Sequence, residues 1–124
     1  MHKVLVIEDE SGLREMIKTT LIRRKYTVTE ASNGKEALIH FKPSMTDLVV
    51  TDLIMPEEDG LKVIMKLKEL KPSIKIIAIS GGGKAGPGGY LNLAKALGAH
   101  AVISKPFSIN DLVNKIEELL ETEQ

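Results

Sequence analysis

Four apolar runs in this chain of 124 residues end on polar side chains: KVLVI on Glu8 and Asp9, DLVVT on Asp52, KIIAI on Ser80 and AVIS on Lys105. Three carboxylates, a hydroxyl and an amine are the ingredients of metal-assisted group transfer onto an acid, provided that the fold gathers them. Two carboxylates about 4 Å apart repel by roughly 4 kcal/mol at an effective dielectric of about 20, so three in one cleft need compensating cations. Lys105 supplies one positive charge, and a hard divalent cation on oxygen ligands fits the remainder. Mg2+ suits such a site because it keeps several waters and takes one or two carboxylates together with a phosphate oxygen. An aspartate beside it can act as nucleophile and become an acyl phosphate, with the metal and a lysine neutralising the transferring oxygens. Asp52 is the best placed nucleophile, because its strand end is expected between the others.

The elements that must position these residues follow from the apolar pattern. Near-continuous aliphatic runs read as parallel strands buried on both faces, and five of them alternate with segments of helical period. Leu13, Met16, Ile17, Thr20 and Leu21 fall on one helical face, with Arg14, Glu15, Lys18 and Arg23 largely elsewhere. A short β-branched strand over 26–30 precedes a helix capped by Asn33 that carries Ala37, Leu38 and Phe41 and ends by Pro43. Strands over 48–51 and 74–79 flank a turn with Pro56 and Gly60, taken as turn-formers, and a helix from Leu61 to Leu70. A glycine-rich connection over 81–89 leads to a helix with Tyr90, Leu93, Ala94 and Leu97, closed by Gly98. The strand 101–104 then precedes a final amphipathic helix that Ser108 and Asp111 introduce as a capping box. Right-handed crossovers and one reversal of winding predict an α/β, flavodoxin-like, doubly wound five-stranded parallel sheet of order 2-1-3-4-5 with five helices. Ligands of such sheets bind beyond the carboxyl ends of the strands, which is where all the residues named above should lie.

Lysine and arginine total 17, as do aspartate and glutamate, so no overall field recruits nucleic acid or an anionic membrane. The chain lacks cysteine, which excludes disulfides and thiolate metal sites and fits an intracellular setting. The apolar run in MHKVLVIEDE is too short for a signal-peptide core or a membrane span, which predicts a cytoplasmic protein. Length predicts one domain over 1–124, with no output module after it. His2, His40 and His100 lie on separate elements without ligand spacing and read as surface or packing residues.

Glu8-Asp9, Asp52 within TDLIMPEEDG, Ser80 and Lys105-Pro106-Phe107 together resemble the receiver domain of bacterial two-component response regulators, close to the chemotaxis type, over essentially the whole chain. By position, the resemblance implies that Asp52 accepts a phosphoryl group from a sensor histidine kinase or phosphotransfer protein. It also implies that Asp9 and Asp52 bind Mg2+, with Glu8 assisting through water and Ile54 adding its backbone carbonyl. Ser80 would hydrogen-bond one phosphate oxygen and Lys105 pair with another, with Lys105-Pro106 as the family's cis peptide. The implied output is a protein-interaction surface on the fourth helix, fifth strand and fifth helix that binds a downstream protein, an output domain or a second copy.

Competing readings are weaker. Each residue alone has a plainer explanation: a helix-start acidic pair at Glu8-Asp9, a loop cap at Asp52, a strand-end hydroxyl at Ser80, a snorkelling lysine at Lys105. Gly81 to Gly86 formally satisfies G-x-G-x-x-G, yet it follows the fourth strand and no acidic residue closes the next one. A phosphatase of the haloacid dehalogenase type would place a second acid two residues after the nucleophile, where this chain has Ile54, so the chain is not read as an enzyme. The chain also departs from the receiver pattern. Glu8 stands where an aspartate is more often seen, and Val102 where many receivers carry an aromatic switch residue. Ile54 and Gly82 stand where side chains influence phosphoryl lifetime, and neither can orient a water, which predicts slow self-dephosphorylation. The glycine-rich loop is expected to move with Ser80 on phosphorylation.

Overall fold

The computed structural model describes residues 2–55, 58–80 and 89–121. Five parallel strands form the central sheet: β1 (Lys3–Ile7), β2 (Thr27–Ala31), β3 (Leu48–Asp52), β4 (Lys75–Ser80) and β5 (Ala101–Ser104). Their order is β2-β1-β3-β4-β5, as the alternation of runs and helices predicts. Helices α1 (Ser11–Arg23), α2 (Gly34–His40), α3 (Gly60–Leu70), α4 (Gly89–Ala96) and α5 (Ile109–Glu121) make the connections and close the chain.

Side-chain alternation divides the core in two. Val4, Val6, Leu48, Val50, Ile77 and Ile79 pack against Ile17 and Leu21 of α1 and Leu112, Val113, Ile116 and Leu120 of α5. Leu5, Ile7, Val49, Ile76 and Ala78 face the other way, against Ala37 of α2, Val63, Ile64 and Leu67 of α3 and Ala94 of α4. Both faces of the sheet are therefore covered, which is why its inner strands are aliphatic throughout. Winding reverses between β1 and β3, whose register pairs Ile7 with Thr51. Glu8 and Asp52 consequently leave adjacent strands side by side.

The caps agree with the local sequence. Asn33 Oδ1 accepts the Glu36 amide at 2.7 Å, and Ser108 Oγ accepts the amides of Asn110 and Asp111 at 3.1 and 3.3 Å. Gly98, at φ +116°, ends α4 in a conformation that favours glycine.

Several expectations are corrected. Met16, assigned to the core face of α1, is exposed, because only Ile17 and Leu21 point squarely at the sheet. Phe41 caps α2 from an extended conformation instead of continuing it, although its ring is buried. Ile74 precedes β4, while Asp52 and Ser80, expected just beyond their strands, are the last residues of β3 and β4. Gly60 opens α3, and a Cβ there would lie 2.5 Å from Leu53 Cα and carbonyl oxygen, so close backbone approach requires the glycine. Two features were not foreseen: a 3-10 turn at Pro43–Met45, and an antiparallel ribbon pairing Ile54–Met55 with Glu58–Asp59. Asp59 then caps α3, accepting the Leu61 amide at 2.9 Å. Pro56 and residues 81–88, which hold the G-x-G-x-x-G match and Gly82, lie outside the described residues, while Gly89, expected in the connection, opens α4.

Candidate functional site

β1, β3 and β5 deliver their polar residues to one place. One carboxylate oxygen from each of Glu8, Asp9 and Asp52 lies within 4.8 Å of the other two, the only such acidic or histidine cluster among the described residues. Lys105 Nζ donates to Asp52 Oδ2 at 2.9 Å and stands 3.6 Å from Glu8 Oε1. The Asp52 side chain is buried, and its Oδ1 accepts the Ile54 amide at 3.0 Å. Ser80 is buried at the end of β4, one step past Ile79, which registers with Asp52 across the β3–β4 ladder. The Lys105 amide donates to the Ser80 carbonyl at 2.8 Å, and the Lys105-Pro106 bond is cis, as expected.

The electrostatics are uneven. Glu8 is 1% exposed, and its Oε1 is buried without a hydrogen-bond partner, while Oε2 accepts the Glu10 amide at 3.1 Å. A 3.6 Å approach is an ion pair but too long for a good hydrogen bond. Burial, reinforced by the Asp52 charge, pushes the Glu8 carboxyl up to about 7, against the pull of the Glu10 amide and Lys105. Burial pulls the Lys105 ammonium down, but its hydrogen bond to Asp52 and the charges of Asp52 and Glu8 outweigh it, and the net shift is upward. One lysine against three carboxylates leaves the donor set short of positive charge. An orphaned buried carboxylate oxygen in an all-oxygen cluster is what a hard cation completes.

The family model described as response regulator receiver domain matches residues 4–117. The chain belongs to that family. Its receiver is similar to the response regulator receiver protein CpdR of Brucella abortus, with 34% identity over 97% of this chain and 98% of that one. It is similar in structure to a receiver domain protein of Clostridium thermocellum, with a TM-score of 0.89 and 30% identity over 99% of this chain and 97% of the other. It is also similar to the response regulator TrrA of Thermotoga maritima, solved in complex with Mg2+-BeF, with a TM-score of 0.82 and 31% identity over 96% and 99% of the two chains. The general role of a receiver is that of phosphoacceptor in two-component signalling.

Glu8, Asp9, Asp52 and Lys105 thus lie together, and Ser80 ends the strand beside Asp52. Ile54 is present through its amide, and the side chain that was expected to leave water unoriented is itself 45% exposed. Val102 is half-buried and packs against the α2–α4 side of the core. His2, His40 and His100 are exposed, and none joins the acidic cluster. Sequence reasoning missed Arg14, assigned to the solvent face of α1, whose guanidinium reaches the Glu8 carbonyl. That contact joins the residue after β1 to the first turn of α1, and no spacing motif announces it. Among the described residues no helix is long and apolar enough to cross a membrane.

Proposed function

We propose that this receiver takes a phosphoryl group on Asp52, from the phosphohistidine of a sensor histidine kinase or a phosphotransfer protein, with Mg2+ held by Glu8, Asp9, Asp52 and the Ile54 carbonyl. The observation that carries the reading is Asp52, a buried carboxylate whose two oxygens are held by a lysine at 2.9 Å and a backbone amide at 3.0 Å inside an acidic cluster short of positive charge. The Mg2+-BeF complex of TrrA supports the choice of metal.

A carboxylate oxygen of Asp52 attacks phosphorus in line with the leaving group. The oxygen–phosphorus bond forms as the phosphorus–nitrogen bond of the phosphohistidine breaks, and the electron pair leaves with the imidazole. When bound, Mg2+ neutralises charge on the transferring oxygens. Lys105 is already oriented by Asp52 and exchanges that partner for a phosphate oxygen, so its charge is in place before transfer. Ser80 offers a hydroxyl to another oxygen from the neighbouring strand. Asp52 is a stoichiometric acceptor, and no second acid stands two residues on to protonate a leaving group from an external substrate.

The added charge at Asp52 biases a two-state surface on α4, β5 and α5, which engages a downstream protein, an output domain or a second copy of the receiver. Residues 1–124 act as one receiver unit, in the cytoplasm, without direct contact to nucleic acid or membrane. Intact-mass measurement after incubation with Mg2+ and acetyl phosphate tests the reading. Wild type gains one phosphoryl group and Asp52→Asn gains none; a wild type that stays unmodified overturns it.

A further inference from the structure

We propose that Arg14 is a positioning residue for the metal cradle, acting through the Glu8–Asp9 peptide. The inference rests on the reading of Glu8, Asp9 and Asp52 as a Mg2+ site. Asp9 is exposed, and among the described residues its side chain has no hydrogen bond or ion pair, so only the backbone fixes where its carboxylate stands. That backbone is held from two directions. The Glu8 amide donates to the Ala31 carbonyl at 3.0 Å, and Arg14 Nη1 donates to the Glu8 carbonyl at 2.7 Å. The second bond grips the peptide plane that Glu8 shares with Asp9, and so sets the origin of the Asp9 side chain.

Arg14 is itself held. Its Nε donates to Glu30 Oε1 at 3.2 Å, while Lys18 Nζ donates to Glu30 Oε2 at 2.8 Å. A guanidinium presents several donors in a rigid fork, so one side chain can grip a carbonyl and a carboxylate together, which the single ammonium of a lysine does poorly. Partners that orient ligands in this way typically change metal affinity 10- to 100-fold, by roughly that much, when removed.

Charge and geometry predict opposite signs here, which makes the proposal testable. Removing a cation near three carboxylates should by electrostatics alone tighten Mg2+ binding. Loss of positioning should weaken it. Isothermal titration with Mg2+ at a pH above the Glu8 range is expected to give Arg14→Gln a Kd about tenfold higher than wild type, Arg14→Lys an intermediate value, and Lys18→Met a value like wild type. Raised Mg2+ should restore the rate of adduct formation from acetyl phosphate in Arg14→Gln, because the acceptor and Lys105 are untouched. An unchanged or tighter Kd in Arg14→Gln overturns the proposal, as does an equal loss in Lys18→Met, which would mark a general loosening of α1 on β2. Should Arg14→Gln fail to fold, Arg14→Lys and Glu30→Ala are read by the same criterion. A wild type that binds no Mg2+ would overturn the cradle itself, whereas normal wild-type binding beside an unaltered Arg14→Gln overturns only the role of Arg14.

Discussion

At the amino-terminal end of the sheet, three lysines reach for backbone carbonyls; at the carboxyl-terminal end, three carboxylates face one lysine. Lys68 Nζ donates to the Ile74 carbonyl at 3.0 Å, Lys71 Nζ to those of Pro43 and Thr46 at 2.8 and 2.6 Å, and Lys75 Nζ to that of Leu119 at 2.8 Å. Each charge there meets a neutral acceptor that a strand or helix end has left over, so the amino-terminal end completes itself. The carboxyl-terminal end does not, since Glu8 Oε1 is buried without a hydrogen-bond donor and like charges converge. Local frustration of this kind is expected where a protein works and not where it merely holds together.

The comparison breaks most sharply at Asp52. Asp52→Asn should abolish the phosphoryl adduct altogether while leaving a cooperative unfolding transition, which thermal melting followed by circular dichroism would record. If instead the variant loses its fold, Asp52 is needed for structure, and the contrast between the two ends disappears.

Glu8 should show the cost of the functional end. Folded Glu8 keeps its proton up to about 7, whereas an unfolded glutamate releases it near 4.5, so the metal-free folded chain holds the extra proton between these values. Its stability must therefore fall as pH rises through that window and level off above it. Glu30 acts in the opposite sense: the Lys18 hydrogen bond, joined by Arg14, holds it below its ordinary 4.5, and its contribution is lost only under more acid conditions. On the proposed reading Mg2+ takes the ionised form, so the stabilisation that saturating Mg2+ confers should grow across the same window. Glu8→Gln should flatten the decline and raise metal-free stability above neutral pH by on the order of 1–3 kcal/mol, while weakening Mg2+ binding at least about tenfold. Denaturant unfolding at several pH values, with and without Mg2+, measures all of this. A wild type whose metal-free stability rises between 4.5 and 7 would show that the cluster is not strained.

How far the molecule was legible in its sequence follows the same division. The aliphatic runs specified the sheet, because a strand covered on both faces has no other way to be written, and the winding rules then fixed the order β2-β1-β3-β4-β5. The strand-end residues Glu8, Asp9, Asp52, Ser80 and Lys105 stood out because polar groups interrupt apolar runs there. What stayed hidden depends on long side chains crossing between elements. Arg14 and Glu30 are 16 residues apart and meet only once α1 lies on β2. Lys71 lies 25 residues from Thr46, and in the helical pattern it is simply a cation near a helix end. Gly60 looked like a turn residue because nothing in its neighbourhood reveals that Leu53 passes over it.

The smallest effect should come from Lys71, and its value lies in what it leaves alone. Lys71 Nζ ties the end of α3 to the 3-10 turn before β3, and replacing it with methionine keeps much of the aliphatic stem while removing two charge-assisted hydrogen bonds. The bond to Pro43 is exposed, so water can take it over, while the bond to the Thr46 carbonyl is half-buried and carries most of the loss. The loss should then be about 1 kcal/mol, or roughly 3–5 °C in Tm for a domain of this size. The Mg2+ affinity and the rate of adduct formation should match wild type, because the turn and the acidic cluster stand at opposite ends of β3 and share no side chain. A Lys71→Met variant that melts normally but binds Mg2+ more weakly would show that β3 transmits strain along its length, and the two ends of the sheet would have to be treated as one coupled system.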